Sequence, residues 1–429
     1  MSIGGFIRRN IYWTIDRLKG SPVLQHYKDI KQILKNNDVA KQRKHLQNLL
    51  DYSTKYSKFY SAFQGEKLQM FPVMNKELLR KNYDNICVDI VHVPFHQGKM
   101  HIQRTSGSTG TPLAIPQDFR KRNRRIAELK YFGNLAGYKS HEKLAQLRIW
   151  TKWQSKSKIQ TFYENIYAID CSKIDDKMLL ELTQLIKQKR IVALWGYASW
   201  YDRLVDFIEK YSIQLFGLKT VIAGSEMLNP ATRRKLTKLL NCNVVSRYSN
   251  EEQGILGQDR VNDERYYLNH ASYYFEFLKL DSNENANPGD LCRIVVTDLF
   301  NYAFPMIRYD TGDTGVFIKE KNNSTIILNK IYGRLLDLVF DTNQVAVHPM
   351  VLARILKNYD EIELWQFIQK DMDKYELKLK LSTEMDLADC ITQLKEIFGQ
   401  NAQIEVKLID DIPVLASGKR KPVLNVWKL

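Results

Sequence analysis

Isoleucines recur every fourth residue near the start of the chain, at Ile3, Ile7, Ile11 and Ile15, and Leu18 follows three further on. Phe6 and Trp13 lie close by, with Arg8, Arg9 and Arg17 among them. This spacing predicts an amphipathic helix over 3–18. Such a helix packs on its own domain or lies on an anionic membrane surface. Residues 28–50 read as one polar helix rich in Lys and Gln. After Pro72, Asn75 is expected to cap a short helix opening Lys76-Glu77-Leu78-Leu79.

From 99 to 250 strand and helix patterns alternate. A strand is predicted at 100–104, and a helix at 118–136 whose start is crowded with Arg120, Lys121, Arg122, Arg124 and Arg125. Short apolar runs at 144–150, 191–195 and 218–223 read as buried strands, separated by helices at 176–189, 198–211 and 230–240. Beyond about 265 the runs become strand-like, at 273–277, 291–296, 314–318 and 324–328, with turn residues such as Pro288-Gly289-Asp290 between them. That stretch predicts an antiparallel or barrel-like subdomain. The tail mixes helices (349–358, 386–398) with strands (376–382, 402–408). The fold class expected is α/β. A large domain of layered α/β sheets spans 1–334, with a β-rich subdomain at about 265–334, and a small α+β domain spans 335–429.

Length and composition agree with this division. A chain of 429 residues exceeds one compact core. At 44% hydrophobic and 26% charged residues it is ordinary globular material rather than a disordered polymer. No apolar run approaches the roughly 20 residues that span a bilayer, and the first residues lack a signal-peptide pattern, so a cytoplasmic location is expected, with the inner face of the membrane as an option through 3–18. The five cysteines are scattered, without a C-x-x-C pair, which argues against a disulfide framework. The net charge of +16 suits an anionic partner: a nucleotide, coenzyme A, anionic lipid, an anionic polymer or nucleic acid. It equally suits simple solubility. Nucleic acid rests on charge alone and is not expected.

One segment carries more specific chemistry. In Thr105-Ser106-Gly107-Ser108-Thr109-Gly110-Thr111, glycines let backbone N–H groups approach a phosphate and hydroxyls add donors. It is not a Walker loop, because no Lys follows the second glycine. Further elements follow in order: Gly196-Tyr197, Gly224-Ser225-Glu226, Tyr248-Ser249-Asn250-Glu251-Glu252, the run from Phe304 through Arg308 to Asp313, Gly333-Arg334-Leu335-Leu336-Asp337, and a loop ending Ser417-Gly418-Lys419.

Together these resemble the motifs of the adenylate-forming, acyl-CoA synthetase-like superfamily, over roughly residues 70–425. The finer resemblance is to its phenylacetate–coenzyme A ligase and capsular-polysaccharide branch. The resemblance implies that the 105–111 loop, including Thr109, holds the phosphates of ATP. Gly224, Ser225 and Glu226 would lie against the adenine and Tyr248 would stack on it. Glu252 would bind Mg2+, Asp313 would hold the ribose hydroxyls, and Lys419 would reach the reacting carboxylate and α-phosphate. It further implies a hinge at Asp337, beside Arg334, about which the small domain moves as a lid. Coenzyme A, or a polysaccharide-pathway intermediate, would accept the acyl group of a small carboxylic acid.

The sequence departs from the family pattern in three places, of which Asn343, standing where glycine often precedes the Val345–Pro349 element, is the minor one. Ser249 replaces the usual glycine, and Glu251 stands where Thr is common, which puts a second carboxylate near the α-phosphate unless it points away or helps bind metal. Aromatic residues between the phosphate loop and Tyr248 (Tyr131, Trp195 and Tyr197 foremost, with Phe132, Trp150, Trp153, Phe162, Tyr163 and Trp200) are candidates for an acyl pocket or for core. His270 and His348 have no second ligand at metal spacing. The leading expectation is an AMP-forming acid ligase. The alternatives are an adenylyltransferase that stops at AMP transfer and a non-catalytic nucleotide-binding scaffold.

Overall fold

The computed structural model describes residues 3–95, 100–104, 113–148, 157–171, 175–320, 325–334, 339–347, 349–356, 358–412 and 422–427. The expected phosphate-loop residues Thr105 to Thr111, Trp150, Trp153, the expected hinge residue Asp337, His348 and Lys419 lie outside the described residues.

The chain opens with helices α1 (Ile3–Leu18), α2 (Pro22–Asn36) and α3 (Val39–Tyr56), then the short α4 (Lys76–Lys81) and α5 (Tyr83–Ile86). The single helix expected over 28–50 is two. Asn37 takes a left-handed conformation (φ 49°) that ends α2, and the Asp38 carboxylate accepts from Lys41 N to start α3. Asn75 caps α4 as expected, its side chain accepting from Leu78 N at 2.8 Å.

A hairpin of β1 (His101–Arg104) and β2 (Ala114–Gln117) leads into α6 (Phe119–Leu135). An eleven-stranded mixed sheet follows. Its strands are β3 (Leu144–Arg148), β4 (Ile166–Asp170), β5 (Ala193–Tyr197), β6 (Thr220–Gly224), β7 (Asn243–Asn250), β8 (Gly254–Arg260), β9 (Asp263–Leu268), β10 (Tyr273–Leu278), β11 (Leu291–Asp298), β12 (Tyr309–Lys319) and β13 (Ile326–Arg334). The order across the sheet is β10-β11-β12-β13-β9-β8-β7-β6-β5-β3-β4. Strands β4 to β7 on one side are parallel, and from β7 onward every pairing is antiparallel. The antiparallel region therefore continues the parallel sheet through β7 and does not close into a barrel among the described residues.

The parallel half needs cover on both faces. Helices α7 (Lys158–Glu164), α8 (Asp176–Lys189), α9 (Ala198–Lys210) and α10 (Pro230–Leu240) alternate with its strands. Leu179, Leu204 and Leu236 of α8 to α10 pack with Leu194, Val221 and Val244. The alternate residues Ile222 and Val245 point the other way and meet Ala136, just past α6. The helices and strands expected here from the apolar spacing are present. Strands β4, β7, β8 and β9 were not foreseen; in β7, β8 and β9 polar residues hide the apolar alternation, and β4 is a run of only five residues.

Past β13 the short pair β14 (Val339–Phe340) and β15 (Ala346–Val347) precedes α11 (Pro349–Leu356), β16 (Ile362–Gln369), β17 (Lys374–Leu381), α12 (Ala388–Phe398), β18 (Gln403–Leu408) and β19 (Val423–Asn425). Strands β18-β17-β16-β19 form a separate four-stranded sheet. Its core holds Leu352, Phe367, Leu377, Leu394 and Phe398, making this a distinct C-terminal α/β domain.

The basic start of α6 is largely structural. Lys121 and Arg124 are fully buried. The Lys121 ammonium meets Asp298 at 2.5 Å, and Arg124 donates to Asp29, Ser272 Oγ and the Ala271 carbonyl at 2.6, 2.9 and 2.6 Å. These charges therefore do not serve a partner. Elsewhere, Arg308 has a left-handed backbone (φ 51°), pairs with buried Glu276 and donates to the Gln69 and Phe71 carbonyls.

Removing Arg308 strands a buried carboxylate and two carbonyls. Arg308→Ala is expected to destabilise the large domain by about 3–5 kcal/mol, read as a lowered denaturation midpoint. Burial, followed by the nearby Arg124 and Arg120 charges, lowers the His26 pKa to about 3, while the unfolded chain titrates near 6.5. The folded state thus binds fewer protons between these values, and its stability falls as pH drops through that window. A His26→Asn variant should lose less stability than the parent between neutral pH and pH about 4, measured by thermal unfolding across pH.

Candidate active site

In open sheets with parallel strands, ligands gather at the carboxyl ends of those strands. Here Tyr197, Gly224 and Arg247 stand in one row across β5, β6 and β7, and Tyr248 is the next residue along β7. Its hydroxyl donates to Asp313 Oδ2 at 2.8 Å. Asp313 in turn sits opposite Arg334 in the β12–β13 ladder. Elements some 65 residues apart in sequence, Tyr248 and Asp313, are thereby in direct contact. Burial first, then the Asp313 charge, hold the Tyr248 phenol well above its ordinary pKa, so it remains a donor. Tyr248 belongs to the buried apolar cluster that also holds Leu256, Phe277 and Ile294.

The turn after β7 is pinned through its peptide oxygens. The carbonyls of Glu251, Glu252 and Gln253 accept from Arg125 Nη1 (3.0 Å), Gln117 Nε2 (3.3 Å) and the Tyr273 hydroxyl (2.8 Å). Asn250 closes the turn, its Oδ1 accepting from Gln253 N at 2.8 Å, while Ser249 pairs with Ile255 in the hairpin. Gly254 has φ 129°, and a Cβ there would come within 3.0 Å of Glu128 Oε2 and the Tyr273 oxygen, so the hairpin demands glycine.

With the backbone held, the two carboxylates take different partners. Glu252 meets the Lys76 ammonium at 3.3 Å. Glu251 accepts from Gln103 Nε2 at 2.7 Å and pairs with Arg148, the last residue of β3, at 3.2 Å. Glu251 is thus neutralised at the strand ends. Lys76, Gln103 and Arg148 were not singled out in the sequence, and their separations from the turn leave no local signal.

Ser225 is left-handed (φ 64°), and Glu226 accepts from Ser199 N at 3.0 Å at the amino end of α9. A carboxylate there is favoured by the exposed amides of the helix start. Trp195 lies under the Arg247 guanidinium, 5.3 Å from its ring centre, and Tyr197 packs edge-on to Trp200 at 5.0 Å. Buried Arg247, its pKa lowered to about 10 by desolvation, donates twice to Gln258 Oε1. Tyr131 is not brought to this row. Its ring packs against Tyr27 and Phe132, beside α2. Phe132 and Trp200 are core, and Phe162 is exposed on α7 rather than lining a pocket. His270 is buried.

Among the described residues no group of three or more His, Cys, Asp or Glu side chains could hold a metal. Glu252 offers one carboxylate. That fits Mg2+, which commonly takes one or two protein carboxylates and completes its shell with nucleotide phosphates and water.

The architecture matches solved ligases at low sequence identity. A 2-hydroxyisobutyryl-CoA ligase bound to an acyl-AMP superposes with a TM-score of 0.68 at 15% identity, covering 91% of this chain and 90% of that one. ATP-bound MatB from Rhodopseudomonas palustris gives 0.54 at 16% identity, covering 75% and 66%. The chain has the adenylate-forming fold. In sequence it is 25% identical to Protein CapK of Staphylococcus aureus, covering 93% of this chain and 92% of that protein, and residues 339–426 match the CapK C-terminal domain. The chain is thus similar to CapK over most of its length, and to the CapK C-terminal domain over its last part.

The Arg148–Glu251 pair is a quarter to a third exposed. A double-mutant cycle of Arg148→Met and Glu251→Gln on unfolding midpoints is expected to give a coupling of about 1 kcal/mol or less. A coupling of several kcal/mol would mean that the pair holds the fold rather than merely adjusting charge at the site.

Proposed function

We propose that the protein uses ATP to activate a carboxylic acid as acyl-AMP and then transfers the acyl group to coenzyme A or another acceptor. The observation that carries this reading is the contact of Tyr248 with Asp313 at the carboxyl ends of the parallel strands. Two motifs matched separately to the family meet there.

A carboxylate attacking an α-phosphate brings two negative groups together, so positioning and charge neutralisation dominate the chemistry. Asp313 would accept from the ribose hydroxyls, since an ionised carboxylate accepts several bonds at once. The loop holding Thr105, Ser106, Gly107, Ser108, Thr109, Gly110 and Thr111 would cradle the phosphates. Gly224, Ser225 and Glu226 would border the adenine, and Lys419 would place its ammonium beside the reacting oxygens. Glu252 would hold Mg2+, which supplies neutralising charge to the phosphates when bound. Because Lys76 already pairs with Glu252, that ammonium must yield or share the carboxylate. Trp195 and Tyr197 would border the acid. The small domain, taken as 335–429, would turn about Asp337 and exclude water from a hydrolysable adenylate.

The likeness to CapK directs the acceptor towards a cell-surface polysaccharide pathway. An adenylyltransferase is the alternative, to be told apart by a stable AMP-bearing product. A scaffold without catalysis gains its support from Glu251, which occupies the position where a Thr hydroxyl is common.

Exchange of labelled pyrophosphate into ATP, screened over a panel of carboxylic acids, tests the reading. Exchange dependent on one acid class is expected. Asp313→Ala should weaken ATP binding, and Lys419→Ala should lower exchange on the order of 100- to 1,000-fold while sparing acyl transfer from preformed acyl-AMP. Absence of ATP binding in the presence of magnesium would sink the proposal.

A further inference from the structure

Helix α1 is built with its apolar stripe outward. Ile3, Phe6, Ile7, Ile11, Ile15 and Leu18 are all between 40% and 83% exposed. The face turned to the protein is the polar and small one. Gly5 and Asp16 are buried there, and the Asp16 carboxylate accepts from Val23 N and Leu24 N at 3.0 and 2.9 Å, capping the start of α2. On the same side the Lys130 ammonium lies 3.6 Å from the Tyr12 ring centre, and Trp13 packs edge-on against Tyr27 at 5.9 Å. Those contacts fix the roll of the helix, so the isoleucines cannot turn inward without breaking them.

The outward face does not stop at α1. On α7, about 150 residues later in the sequence, Ile159 and Phe162 are 82% and 72% exposed. The Arg8 guanidinium sits 4.9 Å from the Phe162 ring centre and ties the two helices into one surface. An uncovered apolar area of this kind marks an interaction site.

We propose that this α1–α7 face rests on an anionic lipid surface, with the isoleucines in the acyl boundary and the basic residues at the headgroups. Three observations favour lipid. The exposed charges on and just after α1 are Arg17 and Lys19, while its one acidic residue, Asp16, is buried. The chain as a whole carries +16. A second copy of the same face would set these basic groups against their equivalents, whereas anionic headgroups complement them. The helix is also the right kind of object. Its 16 residues reach about 24 Å, too short to span a bilayer but suited to lying in its surface. Among the described residues no helix is long and apolar enough to cross a membrane. This proposal does not depend on the catalytic reading.

The test is co-sedimentation of the full chain, without nucleotide, with vesicles rich in phosphatidylglycerol and with vesicles of phosphatidylcholine alone. Binding to the anionic vesicles is expected, weaker on the neutral ones and weakened by salt. Ile7→Glu/Ile11→Glu should lower partition at least about tenfold, since burying even one such side chain is worth that much. Arg17→Glu/Lys19→Glu should reduce binding to anionic vesicles and remove most of its salt dependence. All these positions are exposed, so unchanged circular dichroism and unfolding midpoint are expected in both variants. Failure of the parent chain to bind anionic vesicles would overturn the proposal, as would undiminished binding by the isoleucine variant. A dimer of the parent that the isoleucine variant dissolves would also overturn it, because the face would then pair two copies.

Discussion

The candidate site depends on three hydrogen bonds made to peptide oxygens. Arg125, Gln117 and Tyr273 each donate to one of three consecutive carbonyls, from Glu251 to Gln253. Backbone oxygens held this way fix the turn, and the turn decides where two adjacent carboxylates point. The donors are themselves placed by burial of charge. Lys121 and Arg124 draw α6 onto β10, β11 and the segment between β9 and β10 through the Tyr273 hydroxyl, Asp298, Ser272 and the Ala271 carbonyl. A buried pair of this kind adds little net stability, but losing one partner is costly, so it defines one arrangement and penalises others. Here that arrangement sets Arg125, one residue beyond Arg124, over the turn.

The sheet turns this local constraint into a site. Its parallel half supplies open carboxyl ends, and its antiparallel half begins at the same strand, β7, which leads directly into the pinned turn. The switch brings β12 back to within reach of Tyr248, although three strands lie between β12 and β7 in the sheet order. A phenol buried beside a carboxylate stays protonated, and its hydroxyl can therefore orient Asp313 without competing for the same proton.

Much of the scaffold was legible because its signals are local. The alternation of short apolar runs with helical patterns over 144–240 marks the parallel half, and Asn75 announces a helix start through its own side chain. The break at Asn37-Asp38 was missed because both residues also occur inside polar helices, and only the left-handed Asn37 reveals the stop. The structural role of the basic start of α6 was not legible either. Lys121 and Arg124 find partners at Asp298 and Asp29, some 177 and 95 residues away, and no spacing rule reports such pairs. Gly224, Tyr248 and Asp313 were legible as motif residues. Arg148, Gln103 and Lys76 were not, since each acts only through a residue that the fold brings to it.

Glu251 shows why motif departures must be weighed with their surroundings. A carboxylate where a threonine is common would, taken alone, oppose any phosphate placed nearby. Arg148 and Gln103 both bind that carboxylate, and Arg148 cancels its charge within 3.2 Å. The pair presents close to no net charge to an approaching anion, yet it supplies a guanidinium at the end of β3. The Arg148–Glu251 pair lies only a quarter to a third exposed, so neither partner carries the full desolvation cost of a buried ion, and the guanidinium can exchange one acceptor for another at small cost. A phosphate oxygen arriving at the strand ends would compete with Glu251 for Arg148 rather than meet an isolated negative charge. On the proposed reading, the departure at Glu251 would exchange a hydroxyl donor for a cation held by its own counter-ion.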